Sequence, residues 1–301
     1  MKTRTPCILC GSEHSRVRFE KQEREFLECR DCGLMWIDPL PTREEVEARY
    51  RTAYSSGEYA PFAEAHDMRS LISRHRLERV LEVARPGRWL DVGCSTGSFV
   101  AAAVRAGCVA EGLDISREAV EIARDAGLLA HHGRVEDFEP TQPYDTITAF
   151  DVLEHSPEPR AFVKRLRGWL RPGGTLVLTL PDLRSIYPRF LMGRHWFYFW
   201  PDEHLFYFDA NTVTRLLRDA GFEIKRISRS HKPLSLDYAA RNLENFNATL
   251  GRIARAAVGL LPASLAARAF PLYLGEMFVV ARALPGPGTN PVANPRPSGP
   301  A

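Results

Sequence analysis

Residues 88–107 read RWLDVGCSTGSFVAAAVRAG. Apolar Trp89–Val92 predicts a strand, Gly93 and Gly97 a turn, and Ser98–Ala106 a helix ended by Gly107. In an open α/β sheet, such a strand–turn–helix stands where ligands bind. Two common ligand classes are excluded by spacing. A dinucleotide fingerprint needs G-x-G-x-x-G, and from Gly93 the second and third places hold Ser95 and Ser98. A phosphate-cradling Gly-Lys-Ser/Thr is absent as well.

Working outward, the pattern alternates. Strands are expected at Val109–Asp114, Leu128–His131, Tyr144–Phe150, Thr175–Leu180, Phe222–Ser228 and Met277–Ala283. Helices are expected at Arg69–Val83, Arg117–Ala126 behind a Ser116 cap, Pro159–Leu170, and Ala210–Ala220 behind an Asp209 cap. Strands separated by helices of this length predict an α/β fold with a doubly wound, mostly parallel sheet. Residues 230–272 carry no strand signature and read as a helical insertion. Leu250, Ile253, Ala254, Ala257, Val258 and Leu261 fall on one helical face there, opposite Arg252 and Arg255. That face fits packing on its own domain, or a peripheral membrane or partner contact through 247–272.

Ahead of this region lie Cys7-x-x-Cys10 and, after 18 intervening residues, Cys29-x-x-Cys32, each pair followed by glycine. Two such knuckles aim four thiolates at one tetrahedral ion, the pattern of a zinc ribbon. Four thiolates close the coordination shell, so the zinc is read as structural; four reduced thiols in a small core are the alternative. The expected organisation is a ribbon at 1–38, a helical linker or lid at 39–85, the α/β domain at 86–283 and a disordered Pro/Gly-rich tail at 284–301. Thr42 and Glu45 have capping-box spacing and open a helix over about Arg43–Tyr50.

The 301 residues carry 40 Lys+Arg against 37 Asp+Glu, a net charge of +3. No basic block is present, which argues against a nucleic-acid partner. No apolar run approaches the ~18 residues of a membrane span, and the N-terminus lacks the apolar core of a signal peptide. A cytoplasmic protein with reduced cysteines is expected.

Asp91 closes the first α/β strand and faces the loop, where a carboxylate would repel pyrophosphate and attract a cation. S-adenosylmethionine carries an ammonium and a sulfonium and no phosphate. Asp114 ends the next strand, where an acid can accept hydrogen bonds from two ribose hydroxyls. With these residues, LDVGCSTGSF, GLDIS, VEDF, ITAFDVLEHSPEP and LRPGGTLVLTLP follow the order and spacing of class I S-adenosylmethionine-dependent methyltransferases, which the chain resembles over roughly 86–283. The resemblance implies a seven-stranded, Rossmann-like sheet. It implies that Asp91, Gly93 and Gly97 line the methionine part of the cofactor, with Cys94 a buried member of the cofactor site beside Ser95, and that Asp114 holds the ribose. Ile115 would lie against the adenine, Glu136 and Asp137 beside its amino group, and Phe150 and Asp151 near the centre. Ser95 stands where the family most often has glycine, and fits if its φ is not positive.

A ribbon ahead of this domain resembles sugar C-methyltransferases and relatives in polysaccharide and natural-product pathways. Two segments carry candidate acceptor groups. DVLEHSPEP holds Asp151, Glu154 and His155, whose imidazole titrates in the useful range for a base. Residues 186–208 hold 10 aromatics among 23, with His195 and His204. Such rings suit a pocket wall or a sheet-edge cover. Glu203-His204 before LFYF resembles the Glu-His pair those C-methyltransferases use beside a sugar ketone, implying His204 as base, with Glu203 orienting it or binding the sugar. Tyr54, Tyr59, Arg74 and His75 are candidates for a cofactor lid. The expected activity is methyl transfer to carbon or oxygen of a small acceptor, a sugar or natural-product intermediate. A quinone, polyketide or lipid-linked hydroxyl is the second possibility, and an inactive zinc-ribbon scaffold the third.

Overall fold

The computed structural model describes residues 4–42, 44–46, 48–49, 66–246 and 248–285. Tyr54, Tyr59 and all of the expected tail beyond Pro285 lie outside the described residues. Thr42 and Glu45 form the expected capping box: the Thr42 amide donates to Glu45 Oε2 at 2.7 Å, and the Glu45 amide to Thr42 Oγ1 at 3.2 Å.

The strands, in chain order, are β1 (Ser15–Lys21), β2 (Arg24–Cys29), β3 (Met35–Asp38), β4 (Arg88–Val92), β5 (Val109–Asp114), β6 (Ala130–His132), β7 (Tyr144–Phe150), β8 (Leu170–Pro181), β9 (Phe206–Tyr207), β10 (Phe222–Ser235) and β11 (Ala269–Ala283). The helices are α1 (His66–Leu81), α2 (Ser98–Arg105), α3 (Arg117–Asp125), α4 (Pro159–Trp169), α5 (Ala210–Asp219), α6 (Leu236–Phe246), α7 (Ala248–Gly259) and α8 (Ala263–Ala266). Ser116 caps α3 through the Ala119 amide, and Asp209 caps α5 through the Thr212 amide.

Seven strands form one sheet in the order β10-β11-β8-β7-β4-β5-β6. β11 runs antiparallel to both neighbours, and the pairs from β8 to β6 are parallel. From β4 the chain winds one way through β5 and β6, then crosses back to β7. The β4 end is therefore the switch point, and the Gly93 turn stands on it.

The region 230–272 is helical only within its middle. β10 runs on to Ser235 and β11 begins at Ala269, and the two pair as a ribbon past the last β11–β8 pair, Glu276 with Pro181. Pro233 and Pro271 oppose one another in this ribbon. Prolines demote a strand in a sequence window, but a two-stranded overhang has outer edges where a missing N–H is tolerated. In α7 the expected apolar face stays largely open: Ile253 is exposed, and Gly251 is the helix's buried residue.

The N-terminal strands pair as β1-β2-β3 and take β9 as a fourth, with Trp36 opposite Phe206 and Met35 opposite Tyr207. Phe26 packs against Phe199 and Tyr207 at ring separations of 5.5 and 5.4 Å. One continuous core runs from Cys7 and Leu9 through Trp196 and Phe208 to β8 and β11. Hydrophobic burial thus joins the ribbon to the α/β domain, although 1–38 reads as a separate unit in sequence.

Candidate active site and zinc ribbon

The four N-terminal cysteines converge. Their sulfurs all lie within 4.8 Å of one another, with Cys7–Cys32 and Cys10–Cys29 each at 3.5 Å, and none forms a disulfide. Zinc–sulfur bonds of about 2.3 Å in a tetrahedron place sulfurs about 3.8 Å apart. The set therefore fits a closed, structural zinc site, held by Cys7, Cys10, Cys29 and Cys32.

A cavity of about 600 Å³ opens at the C-terminal end of β4. At one end sits the Gly93 turn. Gly93 has φ +72°, and a Cβ there would stand 2.4 Å from Val152 Cγ2, so no larger residue closes this turn unchanged. Ser95 has φ +48°, in the left-handed region that costs a non-glycine residue about 1–3 kcal/mol. Its amide donates to Asp114 Oδ2 at 2.7 Å, which holds the turn in that form. Asp114 Oδ1 accepts the Ser116 amide at 2.8 Å, and each oxygen keeps a lone pair for a ligand hydroxyl. Asp91, buried beneath the loop, accepts from Thr148 Oγ1 at 2.6 Å, and burial pushes its carboxyl up to about 7. A carboxyl so poised gains from an incoming ammonium.

At the other end the charges are denser. Asp151, at φ +59°, accepts from Arg76 at 2.5 Å, Lys232 at 3.1 Å and Thr179 at 2.9 Å. Burial opposes its charge, yet Lys232 and Arg76 hold its carboxyl well below the usual range. Lys232 also reaches Glu276 at 2.5 Å, and Glu276 accepts from the Tyr198 hydroxyl. Beside them, His155 and His204 meet edge-to-face at 4.7 Å, and Tyr198 stacks on His204 at 5.7 Å. Burial lowers both imidazoles, that of His204 well below the ordinary histidine value, so both are neutral near pH 7.

A methyltransferase-domain family model matches residues 64–227, more than half of the chain. The chain belongs to the methyltransferase-domain family. Among curated relatives, a ubiquinone biosynthesis O-methyltransferase of Xanthomonas campestris is 38% identical over 106 residues, 32% of this chain and 44% of that protein. One of Vibrio vulnificus is 30% identical over 149 residues, 46% and 60% of the two chains. The chain thus spans about half the length of the curated relatives it matches. Among solved structures, the 1,6-didemethyltoxoflavin-N1-methyltransferase of Burkholderia thailandensis, with S-adenosylhomocysteine bound, is 16% identical and covers 90% of this chain and 100% of its own, at a TM-score of 0.51. An S-adenosylmethionine-dependent methyltransferase of Thermotoga maritima is 20% identical over 77% and 97% of the chains, also at 0.51. These two likenesses show the fold. Family and fold agree: the chain carries a class I S-adenosylmethionine-dependent methyltransferase domain.

Within this methyltransferase domain, Asp91, Gly93, Cys94, Asp114, Ile115, Glu136, Phe150 and Asp151 all line the cavity, as do His155, Glu203 and His204. Three expectations differ. Gly97 is not in the wall: a Cβ there would meet Leu128 at 2.5 Å and Ala123 at 3.2 Å, so its glycine lets α2 pack on the α3 side. Asp137 is 72% exposed and turns to Arg134. Ser95 takes the positive φ that its side chain argued against, because Asp114 anchors its amide. α1 does line the cavity, but through Arg69, Ile72, Ser73 and Arg76 rather than Arg74 and His75.

The aromatic segment divides its labour. Trp196, Phe199, Phe206, Tyr207 and Phe208 are buried in the joint with the ribbon, whereas Phe197 and Tyr198 line the cavity. His195 is exposed on the surface. Glu203 approaches Arg49 at 3.8 Å and acts on His155, while His204 takes its orientation from the Tyr198 backbone. Arg76, Lys232 and Glu276 were not anticipated. Glu276, a lone acid in the apolar run LYLGEMFVV, was the one with a readable signal.

Proposed function

We propose that the protein transfers a methyl group from S-adenosylmethionine to a hydroxyl of a small ring-shaped acceptor. The observation that carries this reading is His204: buried and neutral, with Nδ1 lacking a hydrogen-bond partner, in the same cavity as the Gly93 turn. Bound S-adenosylmethionine supplies an electrophilic methyl carbon on a sulfonium.

Asp91 would pair with the cofactor's ammonium, Asp114 would accept from its ribose hydroxyls, and Ile115 and Glu136 would flank the adenine. Phe197 and Tyr198 would cover the acceptor ring and exclude water. His155 and His204 would receive the hydroxyl proton as the acceptor oxygen takes the methyl group, whose bond to sulfur would break to leave a neutral sulfide. Alignment of oxygen, methyl carbon and sulfur supplies much of the rate. The O-methyltransferase relatives support oxygen as the attacking atom. Glu203 and His204, which both line the cavity, keep sugars among the acceptors to be tested.

Calorimetric titration with S-adenosylhomocysteine tests the cofactor site. Wild type should bind, and Asp114→Ala should weaken binding by roughly tenfold or more, since hydrogen bonds to a charged group contribute about 1.5–3 kcal/mol. Catechols, phenols and nucleotide-sugars are then incubated with S-adenosylmethionine and followed by mass. Absence of S-adenosylhomocysteine binding by wild type would sink the reading.

A further inference from the structure

The same cavity holds a cluster that cofactor binding does not use. One ligand atom each from Glu154, His155 and His204 lies within 4.8 Å of the others. Glu154 is 1% exposed, and neither of its carboxylate oxygens has a hydrogen-bond partner. Its neighbours are already committed: Lys232 and Arg76 to Asp151, and Lys232 and Tyr198 to Glu276. A buried carboxylate without a partner is rare, because nothing replaces its lost hydration.

The imidazoles complete the pattern. His155 is hydrogen-bonded to the backbone of Glu203, and His204 to that of Tyr198. Ligating histidines are almost always fixed in this way, with one ring nitrogen on a carbonyl and the other toward the ion.

We propose that Glu154, His155 and His204 hold a divalent transition-metal ion at the acceptor end of the cavity. Two imidazoles and one carboxylate suit Zn²⁺, Co²⁺ or Fe²⁺ better than Mg²⁺ or Ca²⁺, which prefer all-oxygen shells. Three protein ligands leave an open position, unlike the four-thiolate ribbon, where none remains. That open position is where an acceptor oxygen would sit, its hydroxyl acidified by the ion; with the ion bound, His155 and His204 serve as ligands and the proton leaves to solvent, so the base role given to them above belongs to the ion-free site. The ion's role rests on the hydroxyl-acceptor reading above; its binding does not.

The test is titration of Co²⁺ into full-length protein whose ribbon is already filled with zinc, followed by visible absorption. Wild type should take up one Co²⁺ per chain, showing d–d bands without thiolate charge-transfer bands, while the ribbon zinc stays bound. Glu154→Gln and His204→Gln should each weaken uptake by about tenfold or more. Co²⁺ should raise the melting temperature of wild type and of neither variant; the two variants guard against either one misfolding. Three results would overturn the proposal: no Co²⁺ bound by wild type, thiolate bands alone, or uptake unchanged in the variants. Binding of S-adenosylhomocysteine, read separately, reports on the methyltransferase reading, so the two can fail independently.

Discussion

At the cofactor end of the cavity, the groups that hold one another are near in sequence. Asp114 anchors the amides of Ser95 and Ser116, 19 and 2 residues away. At the acceptor end, Asp151 is held by Arg76 and Lys232, 75 and 81 residues distant, and the wall is an aromatic segment clamped by the ribbon. One end is a local turn closed by its own backbone, and its cost is mainly the left-handed φ of Ser95. The other is a set of buried charges that is stable only when every member is present.

The largest expected effect tests whether the two ends are separable. Structural zinc contributes roughly 10–16 kcal/mol of apparent binding energy in small zinc peptides, so the double substitution Cys7→Ser/Cys32→Ser should unfold the ribbon. Hydrogen exchange should then lose protection at 15–38 and 196–208 before 88–114. Uniform loss would show that the ribbon and both ends of the cavity unfold as one cooperative unit.

A second test is internal to the acceptor end. Lys232→Met leaves Asp151 and Glu276 without their shared cation, and removing one partner of a buried pair costs about 3–5 kcal/mol. Urea denaturation measures this, and a loss within about 0.5 kcal/mol, as at an ordinary surface position, would mean that the cluster is wet.

The smallest effect belongs to the cofactor end and depends on pH. Burial raises Asp91 to about 7, so below that pH the free protein carries a proton there, which must leave before the carboxylate can pair with an ammonium. S-adenosylhomocysteine affinity should therefore fall by up to about tenfold per pH unit below 7 and level off above it. Asp91→Asn should flatten this dependence. A flat profile in wild type would place the ammonium elsewhere.

Much of the cofactor end was legible in sequence because its parts are contiguous: a strand, two glycines, two acids at strand ends. The errors there are instructive. Gly97 and Ser95 were judged as isolated residues, but the approach of Leu128 and the pull of Asp114 decide what their backbones do. The four cysteines were equally legible, since thiolate spacing within a knuckle is local. At the acceptor end, His155, Glu203 and His204 were visible as residue types. Lys232 sat in SRSHKPLS, whose proline hid the extension of β10, and Arg76 sat in a helix with many other basic residues.

The α/β class, the ligand-binding turn, the kind of cofactor and the thiolate set are all written in short stretches of chain, because each depends on residues a few positions apart or on the period of apolar side chains. Long-range packing decided that β9 joins the ribbon's sheet and that five rings of the aromatic segment enter the joint while Phe197 and Tyr198 face the cavity. It also decided that Glu154 is buried beside two imidazoles without a partner. These are long-range outcomes of burial and charge pairing, and their energies are set by which surfaces meet, information that no window of the chain contains.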